Sequence, residues 1–471
     1  MKYKLPILFS KYFIYVFLII FILTKVNVLW VPYFWDELGV YIPGMRNIVE
    51  EHTIGIMPKD LIPLYSRGHP MLFYFLGANI MRFLGDSVLI MHSLAIFIAC
   101  VTLYFFYNLS KILFSNTIAM LAVVIVAFQP VFFTMSGVML PEMMLTLFIF
   151  MSLYAIILNH WNLYMSASIL AIMTKETAII IPATALLILF IDSIQLKDFF
   201  TFKRWKLFIV ATAPLIAFGI FLCIQKYQNG WYFFPEHIGY IDFNMNNILS
   251  NCKPILYQIG FGQGRYFLFL ILIVSLIFCF KSFFTKSISR IVLVFLLFTF
   301  ISTVFSSINY FLPRYQLYIF PIFVLLSVYG FHCLVVKYFL KYELVSIVFF
   351  LSISILLSFK NMKSNTFNDT YDMSYLHTVQ SVQKAIQLFQ QEPYKDSLLR
   401  TSFPINKAIE NNKNGYVYHK FNIDSNFYDY APNFISFSID RGEFYNPWKY
   451  DSIIKELDYD YIHIQFMTYK K

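Results

Sequence analysis

The stretch Trp30-Val31-Pro32-Tyr33-Phe34-Trp35-Asp36-Glu37 closes a long apolar run that begins near Tyr12. A run of that length can span a bilayer, so Asp36 and Glu37 fall where a membrane span meets water. Carboxylates near hydrocarbon are costly, and those that persist tend to do chemistry or bind a ligand. The plainer reading is that the pair caps the interface and fixes the next helix. The rest of the chain weighs on that choice.

The 471 residues are 59% hydrophobic and 13% charged, against roughly 25% charged in soluble domains. The composition is that of a polytopic α-helical membrane protein. Apolar runs predict eleven spans, at 12–30, 88–108, 116–134, 140–158, 163–174, 176–191, 207–225, 265–280, 290–306, 315–336 and 343–358. The first lacks a small-residue cleavage site and reads as a retained span, not a removable signal. The fifth and sixth are short and form a hairpin turning at Lys175. The stretch 70–84 is apolar but too short to span, and reads as an interfacial helix opened by Pro70.

Charge placement sets the expected orientation. With the N-terminus in the cytoplasm, the inner segments hold thirteen basic residues against three acidic ones, Asp192, Asp198 and Glu343. Outer segments before residue 360 carry ten of each sign, and 360–471 carries thirteen of each. The entire net charge of +10 then lies inside, which fits an odd number of spans and a C-terminus outside. The same distribution explains the basic character without a nucleic-acid partner. Four of the five cysteines, Cys100, Cys223, Cys279 and Cys333, fall in spans and only Cys252 in an outer loop. There is no disulfide framework and no CxxC pair.

The organisation follows. Residues 1–359 form the membrane domain, with long outer loops at 31–87 and 226–264. Residues 360–471, where Asn, Asp, Lys and Ser rise, form a small soluble α/β domain outside. Strands are expected at 398–403, 434–439 and 459–466, with helices at 375–391, 405–412 and 449–457. Inner loops are short, so the working surface is the outer one.

Several outer residues are candidates for chemistry. Asp36 has the setting of a general base, a carboxylate at a partly shielded membrane exit, with Glu37 beside it. Glu142 follows Pro141 at the mouth of the fourth span, where helix capping explains an acid as well as catalysis does. Lys175, next to Glu176, interrupts an apolar run at an outer turn. A local ion pair is the plain reading and a phosphate contact the sharp one. Arg314, followed by Tyr315, sits at the outer start of the tenth span, as a headgroup anchor or a two-pronged phosphate ligand. Arg67 and His69 are further cations in the first loop. His237 lies amid the aromatics of Trp231-Tyr232-Phe233-Phe234-Pro235-Glu236-His237, a run that also reads as an interface belt. As oxygen ligands, Asp36 and Glu142 suit Mg²⁺ or Mn²⁺, although no cofactor is required. Two acids and several cations on one side of a membrane are what a sugar–phosphate lipid donor needs. Cations hold its phosphate, a membrane groove holds its tail, and a base meets the acceptor.

At these residues the chain resembles the GT-C superfamily of membrane glycosyltransferases. It is most similar to the branch of protein O-mannosyltransferases and lipid A aminoarabinose transferases. The matching pieces are Asp36-Glu37, Arg67-Gly68-His69-Pro70, Phe83-Leu84-Gly85-Asp86-Ser87, Leu140-Pro141-Glu142, Met173-Thr174-Lys175-Glu176-Thr177, Phe234-Pro235-Glu236-His237 and Arg314-Tyr315, spread over roughly residues 10–340. The resemblance implies that Asp36 is the catalytic base and Glu142 a second acid, frequently Asp in that family. It implies a polyprenyl-phosphate sugar donor, inversion at the anomeric carbon, and Lys175 and Arg314 on the leaving phosphate, with the enzyme in a bacterial plasma membrane. The acceptor is a lipid, glycan or protein hydroxyl at the outer face. Rival readings are a polymerase or ligase of lipid-linked glycans, a transporter or flippase of a lipid-linked sugar, and a non-catalytic assembly subunit. A transporter places ionisable residues in mid-span. Here they cluster at outer span ends, with Lys25 the main exception.

Overall fold

The computed structural model describes residues 7–309, 311–364, 371–389, 399–401, 403–417, 433–439, 452–459 and 462–468. The membrane part consists of α1 (Ile7–Leu23), α2 (Ile42–Glu50), α3 (Pro63–Ser66), α4 (Leu72–Leu84), α5 (Val88–Leu113), α6 (Asn116–Ala127), α7 (Pro130–Met135), α8 (Pro141–Leu158) and α9 (Trp161–Thr174). It continues with α10 (Ile180–Leu196), α11 (Phe202–Asn229), α12 (Pro235–Ile238), α13 (Met245–Gly260), α14 (Tyr266–Phe283), α15 (Lys286–Ile308), α16 (Ile319–Tyr338) and α17 (Glu343–Lys360). Helix starts follow local chemistry. Ser87 and Ser115 accept from the backbone N–H groups of Ile90 and Ile118, each at 3.3 Å, and Pro130 and Pro141 open α7 and α8.

Among the described residues, eight helices are long and apolar enough to cross a membrane, with the short turn at Glu176 running into α10 as one of them. Tyr12–Leu23 and Asn116–Ala127 are shorter apolar helices, where the sequence predicts full spans at 12–30 and 116–134. In the first case α1 stops at Leu23 and Lys25, fully buried, turns its ammonium onto the carbonyl of Phe133. In the second, Gln129 precedes Pro130 and takes an extended backbone, φ −63° and ψ 133°, as a residue before proline prefers. Its side chain donates to Ser358 at 3.0 Å and accepts from Arg265 at 3.2 Å, tying the break to α17 and α14. The chain breaks at Lys175, between α9 and the turn leading to α10, and the stretch expected at 70–84 forms the short apolar helix α4. Helices α8 and α16 are the most enclosed, while α11, α14 and α17 present most of their apolar surface outward.

Beyond α17 come α18 (Tyr375–Phe389), α19 (Ile405–Glu410) and four strands, β1 (Leu399–Thr401), β2 (Asn433–Ile439), β3 (Ser452–Tyr459) and β4 (Ile462–Thr468). The sheet order is β1-β2-β4-β3, with β1 parallel to β2 and the other pairs antiparallel. The helix expected at 449–457 is replaced over 452–459 by a strand. Leu457 pairs with Ile464 and Tyr459 with Ile462, so ladder hydrogen bonds supplied by β4 override the weak local helical pattern.

Candidate functional site

Beyond α1 the chain passes Pro32 and reaches Trp35, whose φ of +47° is left-handed. A bulky residue holds that conformation only when its surroundings impose it. Residues Glu37–Tyr41 then form a π-type turn, a form often found at functional sites. The two adjacent acids part here. Glu37 is 1% exposed. Its Oε1 accepts from His92 Nε2 at 2.9 Å and from the N–H of Met139 at 2.7 Å, and its Oε2 from the N–H of Phe34 at 3.2 Å. Glu37, a catalytic candidate from sequence, is therefore a framework residue that staples the exit segment to α5 and to the loop before α8. Asp36 keeps 28% side-chain exposure and forms an ion pair with Arg314, whose own side chain is 1% exposed.

Glu142 lies in the first turn of α8, where the helix dipole favours an acid. Lys175 is extended between α9 and the turn leading to α10. Its ammonium is 2.8 Å from Glu142 Oε1 and 4.1 Å from the centre of the Tyr315 ring. Arg314 lies 5.3 Å from the centre of the same ring. Tyr315 thus stands between two cations, each gaining from its π-face. The row runs Asp36, Arg314, Tyr315, Lys175, Glu142, drawn from four separate parts of the chain. The second oxygen of Glu142, Oε2, is buried and has no hydrogen-bond partner.

A second group adjoins the row. Arg67 caps α3 with φ +45°, and Gly68 follows at φ +74°. A Cβ on Gly68 would sit 3.0 Å from the Trp231 ring and 3.2 Å from Phe234, so glycine lets the loops carrying Arg67 and Phe234 meet. His69 Nδ1 is 2.9 Å from Glu176 Oε2, and the His69 ring lies 5.1 Å from that of His237. Burial, reinforced by His69, Arg67 and Lys175 against the pull of Glu176, drives the His237 pKa down to about 4. At neutral pH His237 is therefore a neutral imidazole. Burial pushes the Asp36 carboxyl up, but Arg314, with Lys175 and Arg67, outweighs it and holds the acid below the usual carboxylate range. Lys175 and Arg67 act on both groups, so the candidates form one electrostatic cluster.

All the sequence candidates except Glu37 face this cluster. Sequence reasoning did not assign a role to Tyr41, which packs on Tyr74 with ring centres 5.4 Å apart. Tyr41 is close enough to Glu142 and Asp36 for their charges to raise its pKa further, beyond the effect of burial and Tyr74. Its spacing from Asp36 carried no signal, because the π-type turn that positions it is not legible in composition. Glu176 was visible as a neighbour of Lys175, but not as the partner of His69. Among the described residues no group of three His, Cys, Asp or Glu is arranged to hold a metal. Asp36 and Glu142, the candidate oxygen ligands, are each already neutralised by a protein cation.

Residues 68–223 match the sequence profile of the dolichyl-phosphate-mannose-protein mannosyltransferase family. No curated protein matches this sequence. The fold is similar to that of ArnT from Cupriavidus metallidurans in the apo state, with TM-score 0.57 and 11% identity over 87% of this chain and 86% of that one. It is similar also to ArnT from the same organism bound to undecaprenyl phosphate, with TM-score 0.56 and 12% identity over 96% and 98% of the two chains. The chain is a multi-pass integral membrane protein whose fold is similar to that of ArnT, and its residues 68–223 are similar to the protein mannosyltransferases.

Proposed function

We infer that this protein is an inverting glycosyltransferase that moves a sugar from a polyprenyl-phosphate donor to an acceptor hydroxyl at the outer face of the membrane. The observation that carries the reading is the ion pair of Asp36 with buried Arg314, flanked by Lys175 and within the field of Arg67. One carboxylate surrounded by three cations is suited to a ligand that brings both a phosphate and a hydroxyl to be deprotonated. The mannosyltransferase profile over residues 68–223 and the undecaprenyl phosphate bound by ArnT support the same donor class.

In this reading the acceptor hydroxyl gives its proton to Asp36 and attacks the anomeric carbon. The bond from that carbon to the phosphate oxygen breaks, and polyprenyl phosphate leaves with the electron pair. Arg314 and Lys175 stabilise the charge that grows on the leaving phosphate, a preorganised electrostatic contribution. The ligand-free ion pair adds a control. A base held below the carboxylate range by Arg314 is a weak base. An arriving phosphate competes for the guanidinium, which favours bidentate oxyanions, and Asp36 recovers basicity as Arg314 turns to it. The base is thereby strengthened only when donor is present. Glu142 holds Lys175 in place, and Tyr315 spaces the two cations.

The test is purified protein assayed against a panel of polyprenyl-phosphate sugars, with released polyprenyl phosphate as the readout. Release that requires both an acceptor and Asp36 supports the reading. No release with any donor, from protein shown to be folded, refutes it.

A further inference from the structure

The soluble C-terminal part has no assigned role, yet it touches the segment that carries Asp36 at four consecutive residues. Asn414 O accepts from the N–H of Tyr33 at 3.2 Å, and the Tyr416 hydroxyl donates to the carbonyl of Tyr33 at 3.0 Å. Both backbone groups of a residue three places before Asp36 are thus held by residues 414–416. Gly415, at φ +88°, lies against Pro32, and a Cβ there would be 3.1 Å from Pro32 Cα. Phe34 packs on Tyr375, with ring centres 5.6 Å apart. The Phe403 ring stands edge-on to Trp35 at 4.9 Å and also covers Gly39, where a Cβ would be 3.1 Å from the Phe403 ring. A polar anchor fastens the same contact from the side. Buried Arg46 donates to Asn414 Oδ1 at 2.5 Å and pairs with Asp86 at 2.7 Å, and Lys413 lies 3.5 Å from Asp86.

These contacts surround the residue that precedes Asp36 in the chain. Trp35 immediately precedes it in a left-handed conformation, and its ring is braced by Phe403. A conformation of that kind relaxes when its brace is removed, and relaxation at Trp35 swings the next residue. We propose that residues 403–417 are a positioning element for Asp36. Phe403 pins Trp35, while Asn414, Gly415 and Tyr416 pin Pro32 and Tyr33, so the soluble part completes the transfer site without touching substrate. This rests on the reading of Asp36 as the base. It predicts a specific kinetic pattern. Donor affinity depends on Arg314 and Lys175, which lie on segments far in sequence from the clamp, so it should survive loss of the clamp. Turnover depends on where the carboxylate points, and should fall.

The experiment uses the full-length protein with Phe403→Ala, Phe403→Tyr and the gentler Tyr416→Phe. Three quantities are measured, namely polyprenyl-phosphate binding, turnover, and hydrogen exchange of a peptide spanning residues 31–39. The expected result for Phe403→Ala is a 10- to 100-fold loss of kcat, the order produced by a misplaced group of about 1 Å. Donor KM stays unchanged, and exchange accelerates by about tenfold as the segment opens locally. Phe403→Tyr, which keeps the ring, restores turnover, and Tyr416→Phe shows the same pattern more weakly. Unchanged exchange in Phe403→Ala overturns the clamp, and accelerated exchange with wild-type kcat overturns its role in positioning. If Phe403→Ala fails to fold, Tyr416→Phe decides by the same criteria. A wild-type protein silent on every donor instead refutes the transfer reading. Active wild type with an unaffected Phe403→Ala refutes the clamp alone.

Discussion

Replacing Arg314 tests the reading at its centre. Its side chain is 1% exposed and pairs with Asp36, which keeps 28% exposure. Arg314→Ala therefore strands no fully buried acid, because water reaches Asp36 in the variant. The main loss falls on the ligand. One charge-assisted contact to phosphate is worth about 1.5–3 kcal/mol, or roughly 10- to 150-fold in Kd for polyprenyl phosphate. Arg314→Lys keeps the charge but loses the planar fork, and should fall between wild type and Arg314→Ala. The pH dependence carries a second, independent signal. Asp36 is held below the ordinary carboxylate range with Arg314 as its strongest opposing charge, so the acid limb of kcat/KM lies at low pH in the wild type. Without Arg314, burial is less opposed and the limb moves to higher pH. The sign for stability agrees. A depressed folded-state pKa stabilises above the unfolded-state value and is lost as pH falls through the folded one, and Arg314→Ala reduces that contribution. Binding by filter or calorimetric assay, with turnover across pH, reads both effects. Wild-type affinity together with an unmoved acid limb in Arg314→Ala would refute the assignment and leave Arg314 as a headgroup anchor.

Asp36→Asn keeps shape and removes the base, so turnover should fall by on the order of 10²-fold or more with donor binding retained. Near-normal release of polyprenyl phosphate in that variant would remove Asp36 from the chemistry. Glu142→Gln leaves the Lys175 ammonium, 5% exposed, without its partner 2.8 Å away. The expected cost is about 3–5 kcal/mol of stability, seen as a lower melting temperature and partly recovered when Lys175→Met is added. His237, drawn down to about 4 from the ordinary 6.5, binds fewer protons folded than unfolded in that interval. Stability from this group therefore declines as pH drops from 6.5 towards 4, and His237→Gln should flatten that slope in pH-dependent melting. A reporter active only in the cytoplasm, fused after Lys471, should stay silent, because the placement of the +10 net charge predicts a C-terminus outside. Strong signal from an inserted fusion reverses the orientation.

Hydropathy alone was enough to recognise a polytopic membrane protein, the short helix α4 and the break at Lys175, since each depends on the apolar content of a short window. Order along the chain was also enough to place Asp36, Glu142, Lys175 and Arg314 at the ends of apolar runs. The division of labour between Asp36 and Glu37 could not be read that way. It is decided by His92, 55 residues away, and by the N–H of Met139, 102 residues away, which take the oxygens of one acid and leave the other to Arg314. The ends of α1 and α6 were misjudged for the same reason, because Lys25 finds the carbonyl of Phe133 and Gln129 finds Ser358 and Arg265 only after packing. Strand β3 exists because β4 offers a ladder, and Trp35 is left-handed where Phe403 covers it. In each case the deciding partner is remote in sequence. Local periodicity reports which face of an element is apolar, but not which distant polar group will satisfy a buried charge or brace a strained turn.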